Sequence, residues 1–341
     1  MDLNRRDFGK LALAAIPAAR LLGAKPNSNF GGVQVGAITY SYREMPDANN
    51  AVSVLKYTVD SGISGIEMMA PAAENFAGSP AATQGRGGRG GAPGAGGPAG
   101  PAGGPGGPGA PGGGRGRAPL TPEQQAMQAE NARKLKDWRL SVSMDKYKEL
   151  RKMYNDAGVS IYGFKLPPTK DMSDEEYEYI FKVGSTLGAH QITAELSDDA
   201  ALTQRNGDFA AKHGMVVAYH AHTQATITAW DAVLAQSKGN AVNLDCGHYV
   251  AGTGLSPIPV IQKLHGRIAS IHLKDRTTPE HGAKNLAWGT GDTPIKEILQ
   301  LMRKEKYTFP ASVELEYQVP QGSDAVTEVL KCVEYCRNAL A

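Results

Sequence analysis

The chain has 341 residues, 21% of them charged, and a formal net charge of +2, which is enough material for one large core or two smaller ones. Residues 81–120 distort these averages because they hold 18 of the 41 glycines, 7 of the 21 prolines, four arginines and no acid. Without those arginines the formal charge is −2, so we expect no nucleic-acid partner. Three cysteines are too few for a disulfide framework.

The first 24 residues have the pattern of an export signal. Arg5 and Arg6 precede an apolar, alanine-rich segment over residues 11–22. This pattern resembles a twin-arginine signal, and the segment is shorter than the roughly 20 residues of a membrane span. The alternative is an amphipathic first helix with two basic residues. We expect a signal peptide over residues 1–24, the twin-arginine export machinery as a partner, and a periplasmic or otherwise exported protein.

From Val33 onward, short apolar runs alternate with helical patterns. In chain order, the sequence predicts a strand at 33–40, a helix at 51–61, a strand at 65–69, a helix start at Thr121, a helix at 143–157 and a strand at 160–166. The alternation continues with a helix at 174–187, a strand at 191–196, a helix at 198–213, a strand at 215–222, a helix at 225–237 and a strand at 241–245. It ends with a helix at 258–265, a strand at 268–273, a helix at 294–304, a strand at 312–315 and a helix at 323–338.

A Gly/Pro-rich segment at residues 78–120 interrupts this alternation. It has no apolar periodicity and cannot bury enough surface to offset its ordering entropy, so we predict a disordered insertion. Collagen is excluded because glycine does not recur strictly at every third residue.

Eight strand–helix units predict parallel pairing with right-handed crossovers. Residues 31–341, apart from the insertion, have the length of an α/β protein with a (β/α)₈ TIM-barrel fold, roughly 250 residues. A doubly wound open sheet is the alternative, but no glycine fingerprint follows the first strand.

Polar residues collect where five successive strands end. In a barrel these carboxyl ends form the mouth that carries function. The residues at these ends are Glu195, His220, His222, Asp245, His248, His272, Glu314 and Glu316. Because strand side chains alternate faces, His272 shares a face with Ser270, and Glu314 with Ser312, while the apolar residues between them face the helices. Carboxylates and imidazoles converging in this way predict one divalent metal ion, with Mn²⁺, Mg²⁺, Co²⁺ and Zn²⁺ as the candidates.

These strand ends resemble those of the xylose-isomerase-like barrel superfamily, often labelled sugar phosphate isomerase/epimerase. The motifs that carry the resemblance are Tyr219-His220-Ala221-His222, Asp245-Cys246-Gly247-His248, Ile271-His272-Leu273-Lys274-Asp275, Trp288-Gly289-Thr290-Gly291-Asp292 and Val313-Glu314. The resemblance implies that Asp245, His272 and Glu314 are metal ligands, that His248 contacts substrate, and that a homodimer is one possible assembly.

The sequence departs from this family at strand five, where a glutamate usually serves as both ligand and acid/base. Here the position holds His220. Either His220 takes the ligand place, or Glu195 reaches in from strand four. We favour Glu195 because it restores the number of carboxylates. Glu195, His220 and Glu314 are the candidate catalytic groups.

The expected reaction is proton transfer next to a carbonyl in a sugar, keto-sugar or cyclitol, with a metal stabilising the enediolate and a carboxylate or imidazole moving the proton. Return of the proton gives isomerisation or epimerisation. Loss of a β-substituent would instead make the protein a dehydratase or keto-glycoside lyase. A non-catalytic sugar-binding barrel is a further alternative. At the rim, the expected contacts to substrate hydroxyls are His222, Lys165, Lys274 and Glu67.

Overall fold

The computed structural model describes residues 25–83 and 121–341. The predicted signal peptide at 1–24 and residues 84–120 of the predicted insertion lie outside this part of the chain. Residues 78–83, at the start of the predicted insertion, are described, and Pro80–Thr83 form a 3₁₀ helix. Within the described residues, no helix combines the length and apolar character needed to span a bilayer.

Eight parallel strands close into a barrel, which confirms the predicted fold. The strands are β1 (Val33–Ile38), β2 (Gly65–Met69), β3 (Ser160–Lys165), β4 (Gln191–Glu195), β5 (Val216–His220), β6 (Asn240–Asp245), β7 (Ile268–Leu273) and β8 (Ala311–Val313). Each strand pairs with the next, and β8 pairs with β1, which closes the barrel. A short strand, Asn29–Phe30, adds antiparallel to the start of β1, and Asp275–Arg276 forms a hairpin with Asn285–Leu286.

The helices surround the barrel. They are α1 (Ala51–Asp60), α2 (Ala70–Phe76), α3 (Pro122–Ser141), α4 (Asp145–Asp156), α5 (Asp174–Leu187), α6 (Ala200–Lys212), α7 (Asp231–Gln236), α8 (Cys246–Thr253), α9 (Ile258–Leu264), α10 (Ile295–Glu305) and α11 (Ala325–Ala339). Capping boxes at Thr121 and Ser173 begin α3 and α5, since each side chain accepts from an otherwise unpaired backbone N–H.

Several predicted elements are shorter in the structure, among them the strand predicted at 215–222, and in two cases a tertiary contact explains the difference. The helix predicted at 225–237 covers only α7, because residues 223–230 form successive turns and Trp230 buries its indole, whose N–H donates to the Tyr219 carbonyl at 2.9 Å. The strand predicted at 312–315 ends at Val313. Beyond it, the Leu315 amide donates to the Ser41 hydroxyl at 3.0 Å, so the chain leaves the sheet.

The barrel interior contains polar side chains below the mouth, whereas the apolar core lies between strands and helices. Gln191 donates across the interior to the Ser270 hydroxyl at 2.8 Å, and Tyr162 is hydrogen-bonded to Ser312. The residues next to them, such as Ile271 and Val313, are fully buried under the helices. The alternation predicted for β7 and β8 is therefore present, and it points His272 into the barrel.

Candidate active site

Parallel register brings the polar strand ends together. Glu195 on β4 pairs in register with His220 on β5, and Asp245 on β6 with His272 on β7. The register shifts at Glu67 on β2 and at Asn243 on β6. Irregularities of this kind re-aim a side chain, and Asn243 Nδ2 donates to Glu67 Oε2 at 3.3 Å.

His272 lies at the centre of the cluster, fully buried between two carboxylates. Its Nδ1 is 2.9 Å from Glu314 Oε2, and its Nε2 is 2.9 Å from Glu67 Oε2. Burial alone would lower the pKa of His272, but Glu314 and Glu67 outweigh it and raise the pKa to about 10. Both ring nitrogens are therefore held in fixed directions.

Glu67 lies beneath His272 and not at the rim where its contact with substrate was expected. Its side chain is completely inaccessible to solvent, and Oε1 has no hydrogen-bond partner. Burial would raise the pKa of Glu67, but the imidazole of His272 and the ammonium of Lys165 lower it overall. In this position Glu67 can orient His272 but cannot contact a substrate.

His220 and Glu195, the two alternatives that the sequence left open for the ligand place, contact each other. His220 Nδ1 is 3.1 Å from Glu195 Oε2, and its Nε2 is 3.2 Å from Asp245 Oδ2. Burial opposes protonation, yet Asp245 and Glu195 together raise the pKa of His220. Glu195 is the more exposed of the pair, and Lys165 donates to its Oε1 at 2.9 Å. Burial alone would raise the pKa of Glu195, but His220 and Lys165 outweigh this effect and hold the pKa well below its usual range.

Asp245 combines a structural and a chemical role. Its Oδ1 accepts from the His248 amide at 2.7 Å and caps the start of α8, which follows β6 without a loop. Only Oδ2 is left to face the cluster. Despite its burial, Lys274 and His248 keep the pKa of Asp245 far below its usual range.

Lys274 is buried in the cluster and does not reach the rim as expected. Its ammonium is 2.8 Å from each of three carboxylate oxygens, Asp245 Oδ2, Glu314 Oε2 and Glu316 Oε2. Burial would lower the pKa of Lys274, but these carboxylates raise it, so the lysine is a permanent cation at neutral pH.

The outer part of the cluster is formed by His248 and His222. Arg276 Nη1 lies 2.5 Å from His248 Nδ1, and His248 Nε2 lies 3.8 Å from Glu316 Oε2. Burial dominates the pKa of His248 and lowers it to about 3 despite the attraction of Asp245. His222 is half exposed at the mouth, 3.6 Å from Glu195 Oε2, and burial together with the positive His220 lowers its pKa.

Sequence reasoning did not single out Asn243 or Arg276 as site residues, and it noted Glu316 without giving it a role. Strand alternation was an available signal for two of them, because Asn243 lies two residues before Asp245 and Glu316 two residues after Glu314. No comparable signal marks Arg276, whose contact with His248 spans 28 residues.

The Gly289–Thr290–Gly291 turn is filled by a carboxylate of the chain itself. Asp275 Oδ2 accepts from the amides of all three residues at 2.8–3.1 Å, and Oδ1 accepts from Thr293 at 3.2 Å. The turn therefore fixes the loop next to Arg276 and presents no free set of amides to a phosphate.

The donor set fits a divalent metal. His220, Asp245, His272 and Glu314 each offer one ligand atom within 4.8 Å of the others, and all four are buried. Two carboxylate oxygens with two imidazole nitrogens suit borderline divalent ions. Glu67 behind His272 and Glu195 behind His220 supply the outer hydrogen bonds that orient metal-binding histidines. Although we expected Glu195 to take the ligand place, this set contains His220 instead.

Comparison with known families agrees with this architecture. Residues 200–336 match the model of the family described as xylose isomerase-like TIM barrel, which confirms the family resemblance over the second half of the barrel. No curated protein matches the chain in sequence.

Solved structures similar to the chain include a probable dehydratase and two epimerases. A probable 3-DHS dehydratase from Bacillus anthracis is 14% identical with a TM-score of 0.56, covering 89% of this chain and 98% of its own. The 3-keto-D-glucoside 4-epimerase of E. coli is 10% identical with a TM-score of 0.54, covering 90% of this chain and 99% of its own. A D-allulose 3-epimerase from Methylomonas sp. is 13% identical with a TM-score of 0.52, covering 92% and 97%. At these identities the likeness shows a shared fold.

Proposed function

We propose that this xylose isomerase-like barrel is an exported, divalent-metal-dependent isomerase or epimerase of a sugar, keto-sugar or cyclitol. The single observation that carries the proposal is the buried set of His220, Asp245, His272 and Glu314 at the mouth of the barrel. When bound there, a divalent ion supplies Lewis-acid stabilisation of the negative charge that develops on a carbonyl oxygen. Mn²⁺, Mg²⁺, Co²⁺ and Zn²⁺ are the candidate ions.

The chain's own residues can move a proton on two sides of a bound sugar. Glu195 ends β4 and Glu314 follows β8, and these two strands lie on opposite sides of the eight-stranded barrel. Glu195 is ionised and partly exposed, which allows it to accept a proton from one face. Glu314, with His272 and Lys274 beside it, serves the other face. Two groups on opposite sides are what an epimerisation needs, because the proton leaves one face and returns to the other.

His248, His222 and Lys165 would orient the substrate. His248 Nδ1 faces the Arg276 guanidinium, so the neutral ring carries its proton on Nε2, which lies 3.8 Å from both Asp245 Oδ2 and Glu316 Oε2. The partly exposed His222 stands beside Glu195 and can bind a hydroxyl there. Lys165 holds Glu195 in place through its 2.9 Å contact.

Metal content tests the metal site. We expect about one divalent ion per chain in the purified wild type by elemental analysis, and loss of that ion in both Asp245→Asn and His272→Gln. Asp231→Asn is the matched control, because Asp231 pairs with Lys263 on the outer surface and should leave the metal content unchanged. Absence of metal from the wild type after incubation with Mn²⁺, Co²⁺ or Zn²⁺ would contradict the proposal.

Proton exchange tests the reaction. Keto-sugars incubated with the enzyme in heavy water should gain deuterium next to the carbonyl and yield an isomer or epimer. An unsaturated product would instead assign the chain to the dehydratases and lyases, a reaction class also represented among proteins of similar fold. Sugar binding without exchange would identify a non-catalytic binding barrel.

Export is a separate part of the proposal and rests on Arg5 and Arg6 ahead of the apolar segment. Residues 1–30 fused to a folded reporter should carry it to the periplasm of a host with a twin-arginine pathway. Replacement of both arginines by lysine should retain the reporter in the cytoplasm. Export that does not depend on the pair would refute this part alone.

A further inference from the structure

Within the described part of the chain, Lys274 is the one lysine or arginine that contacts the Asp245 and Glu314 carboxylates. Its ammonium lies 2.8 Å from one carboxylate oxygen of each of Asp245, Glu314 and Glu316, and it donates a hydrogen bond to Glu316. Only 2% of the Lys274 side chain is exposed. The proposed proton transfers do not require a buried lysine at this point, so the role of Lys274 needs a separate account.

The fold is shaped to hold this lysine. Gly247, in the first turn of α8, lies against the Lys274 stem, and a Cβ at Gly247 would come within 2.3 Å of Lys274 Cγ and 2.7 Å of the Lys274 carbonyl oxygen. Any side chain at Gly247 would force the lysine to move. Lys274 also follows β7 directly, so the strand that carries His272 fixes its starting point. The space beside Gly247 and the end of β7 together fix where the Lys274 ammonium lies.

The atoms that bind the ammonium are also candidate metal ligands. Asp245 has only Oδ2 to offer, because Oδ1 caps α8. Glu314 Oε2 is the oxygen that faces His272 Nδ1. Lys274 contacts both of these oxygens at 2.8 Å. A divalent ion bound to the same two oxygens would repel an ammonium left beside them.

We propose that Lys274 is a built-in competitor of the metal, holding the Asp245 and Glu314 carboxylates in the metal-free protein and giving them up when the ion binds. This inference rests on the metal site of the proposed function. The chemical reason for such a cation is that buried carboxylates without a counter-charge are costly. The site can then fold before the metal arrives, at the expense of metal affinity.

Glu316 is the position to which the ammonium retreats. Its Oε2 is the third partner of Lys274, it is more exposed than Glu314, and it does not belong to the set of four ligand candidates. By keeping one carboxylate when the other two turn to the metal, Lys274 would stay paired. Glu316 should therefore favour metal binding through Lys274 rather than by direct contact.

The test measures Mn²⁺ affinity by isothermal titration calorimetry on chelator-treated, full-length protein. We expect Lys274→Met, which keeps the length of the side chain and removes its charge, to bind Mn²⁺ at least about tenfold more tightly than wild type. Lys165→Met is the matched control, because its side chain is also mostly enclosed by the cluster but its ammonium contacts Glu195 instead of the two shared oxygens. We expect a change of less than about threefold in that control.

A double-mutant cycle then separates the role of Glu316 from simple loss of negative charge. Glu316→Gln should weaken Mn²⁺ binding in wild type and have little effect in the Lys274→Met background. An equal effect in both backgrounds would refute the retreat of the ammonium to Glu316.

Thermal melting gives a second readout. Metal-free Lys274→Met should melt below metal-free wild type, and saturating Mn²⁺ should raise the melting temperature of the variant by the larger amount. Should Lys274→Met fail to fold, Lys274→Gln provides the same loss of charge with a side chain that can still donate a hydrogen bond.

The outcomes separate this inference from the proposed function. If wild type binds Mn²⁺, and Lys274→Met and Lys274→Gln bind it equally well or more weakly, Lys274 does not compete with the metal. The metal site of the proposed function would still stand. An equal gain in Lys165→Met overturns the competition as well, because the effect would then be general electrostatics. Failure of wild type and variants alike to bind Mn²⁺ or Zn²⁺ removes the metal site and this inference together.

Discussion

Glu67 offers the sharpest test of how the site is organised, because it cannot reach a substrate and should still control the metal. The perturbation is Glu67→Gln, which keeps the shape of the side chain and removes its charge. The Glu67 carboxylate faces His272 Nε2 at 2.9 Å and accepts from Asn243 at 3.3 Å, all of it buried. A charge-assisted hydrogen bond of this kind contributes about 1.5–3 kcal/mol.

If the hydrogen bond to Glu67 orients the His272 imidazole for metal binding, its removal should weaken metal affinity. At about 1.4 kcal/mol per factor of ten, Glu67→Gln should weaken Mn²⁺ binding about 10- to 100-fold. The assay is calorimetric titration, with circular dichroism to confirm folding. Glu74→Gln is the matched control: Glu74 is also buried but pairs with Arg139 on α3, so the change should lower stability and leave metal affinity unchanged.

Unchanged Mn²⁺ affinity in folded Glu67→Gln would refute the view that Glu67 orients a ligand. Glu67 would then be a structural counter-charge for His272. A protein that loses affinity equally in Glu67→Gln and Glu74→Gln would show that the site responds to overall stability, which would also contradict the argument.

Three further predictions concern the scaffold. Gly36→Ala should destabilise the barrel by about 1–3 kcal/mol in a denaturant melt, because the new Cβ would lie 2.6 Å from the Tyr162 hydroxyl, and a milder effect would contradict a tightly packed interior. Asp275→Asn should loosen the 287–293 loop, which loses the carboxylate that accepts four backbone amides, and limited proteolysis should cut there faster than in wild type. Burial opposes ionisation of Glu328, but Lys331, Ser323 and Tyr317 lower its pKa overall. The ionised Glu328 therefore stabilises the fold above the unfolded-state pKa of about 4.3, and this stabilisation is lost as pH falls through the folded-state pKa. The melting temperature of Glu328→Gln should therefore lie below that of wild type at pH 7 and approach it near pH 3, and a constant gap would contradict the assignment.

The barrel was predictable because each strand is a short apolar run followed by a helical pattern, and local patterns of this kind specify a parallel sheet. The errors fall where tertiary contacts decide. Trp230 buries its indole against β5 and keeps residues 223–230 in turns. Leu315 leaves the ladder because Ser41 and Arg43, some 270 residues earlier, bind its backbone.

Helix α8 was missed although its end signals are present in the sequence. Asp245 is its N-cap, and Gly254 ends it in the left-handed conformation with φ of 70°. The sequence predicts no helix for the segment between them, because eight residues are too few for a clear helical period. Asp245 was identified as a candidate metal ligand only, and its role as the N-cap of α8 was not recognised.

Several members of the site could be predicted from the sequence, but not how deeply each side chain is buried. Alternation along the strands predicted His272 and Glu314 in the mouth, and the end of the sixth strand predicted Asp245 there; in the structure these three residues lie in one buried cluster. It could not show that Glu67 lies below His272, since that contact joins residues 205 apart through a local irregularity of β2. Nor could it show that the Lys274 ammonium turns inward, which depends on the space left by Gly247.

The choice between Glu195 and His220 changes character once their geometry is known. They are hydrogen-bonded neighbours at 3.1 Å, with His220 facing Asp245 and Glu195 facing the mouth. The arrangement repeats on the other side of the cluster, where His272 faces Glu314 and is supported by Glu67. Each imidazole is thus held between one carboxylate of the candidate ligand set and one carboxylate outside that set. In this pattern His220 replaces a carboxylate ligand without losing its negative partner, because Glu195 keeps that charge one hydrogen bond away, where a substrate can reach it.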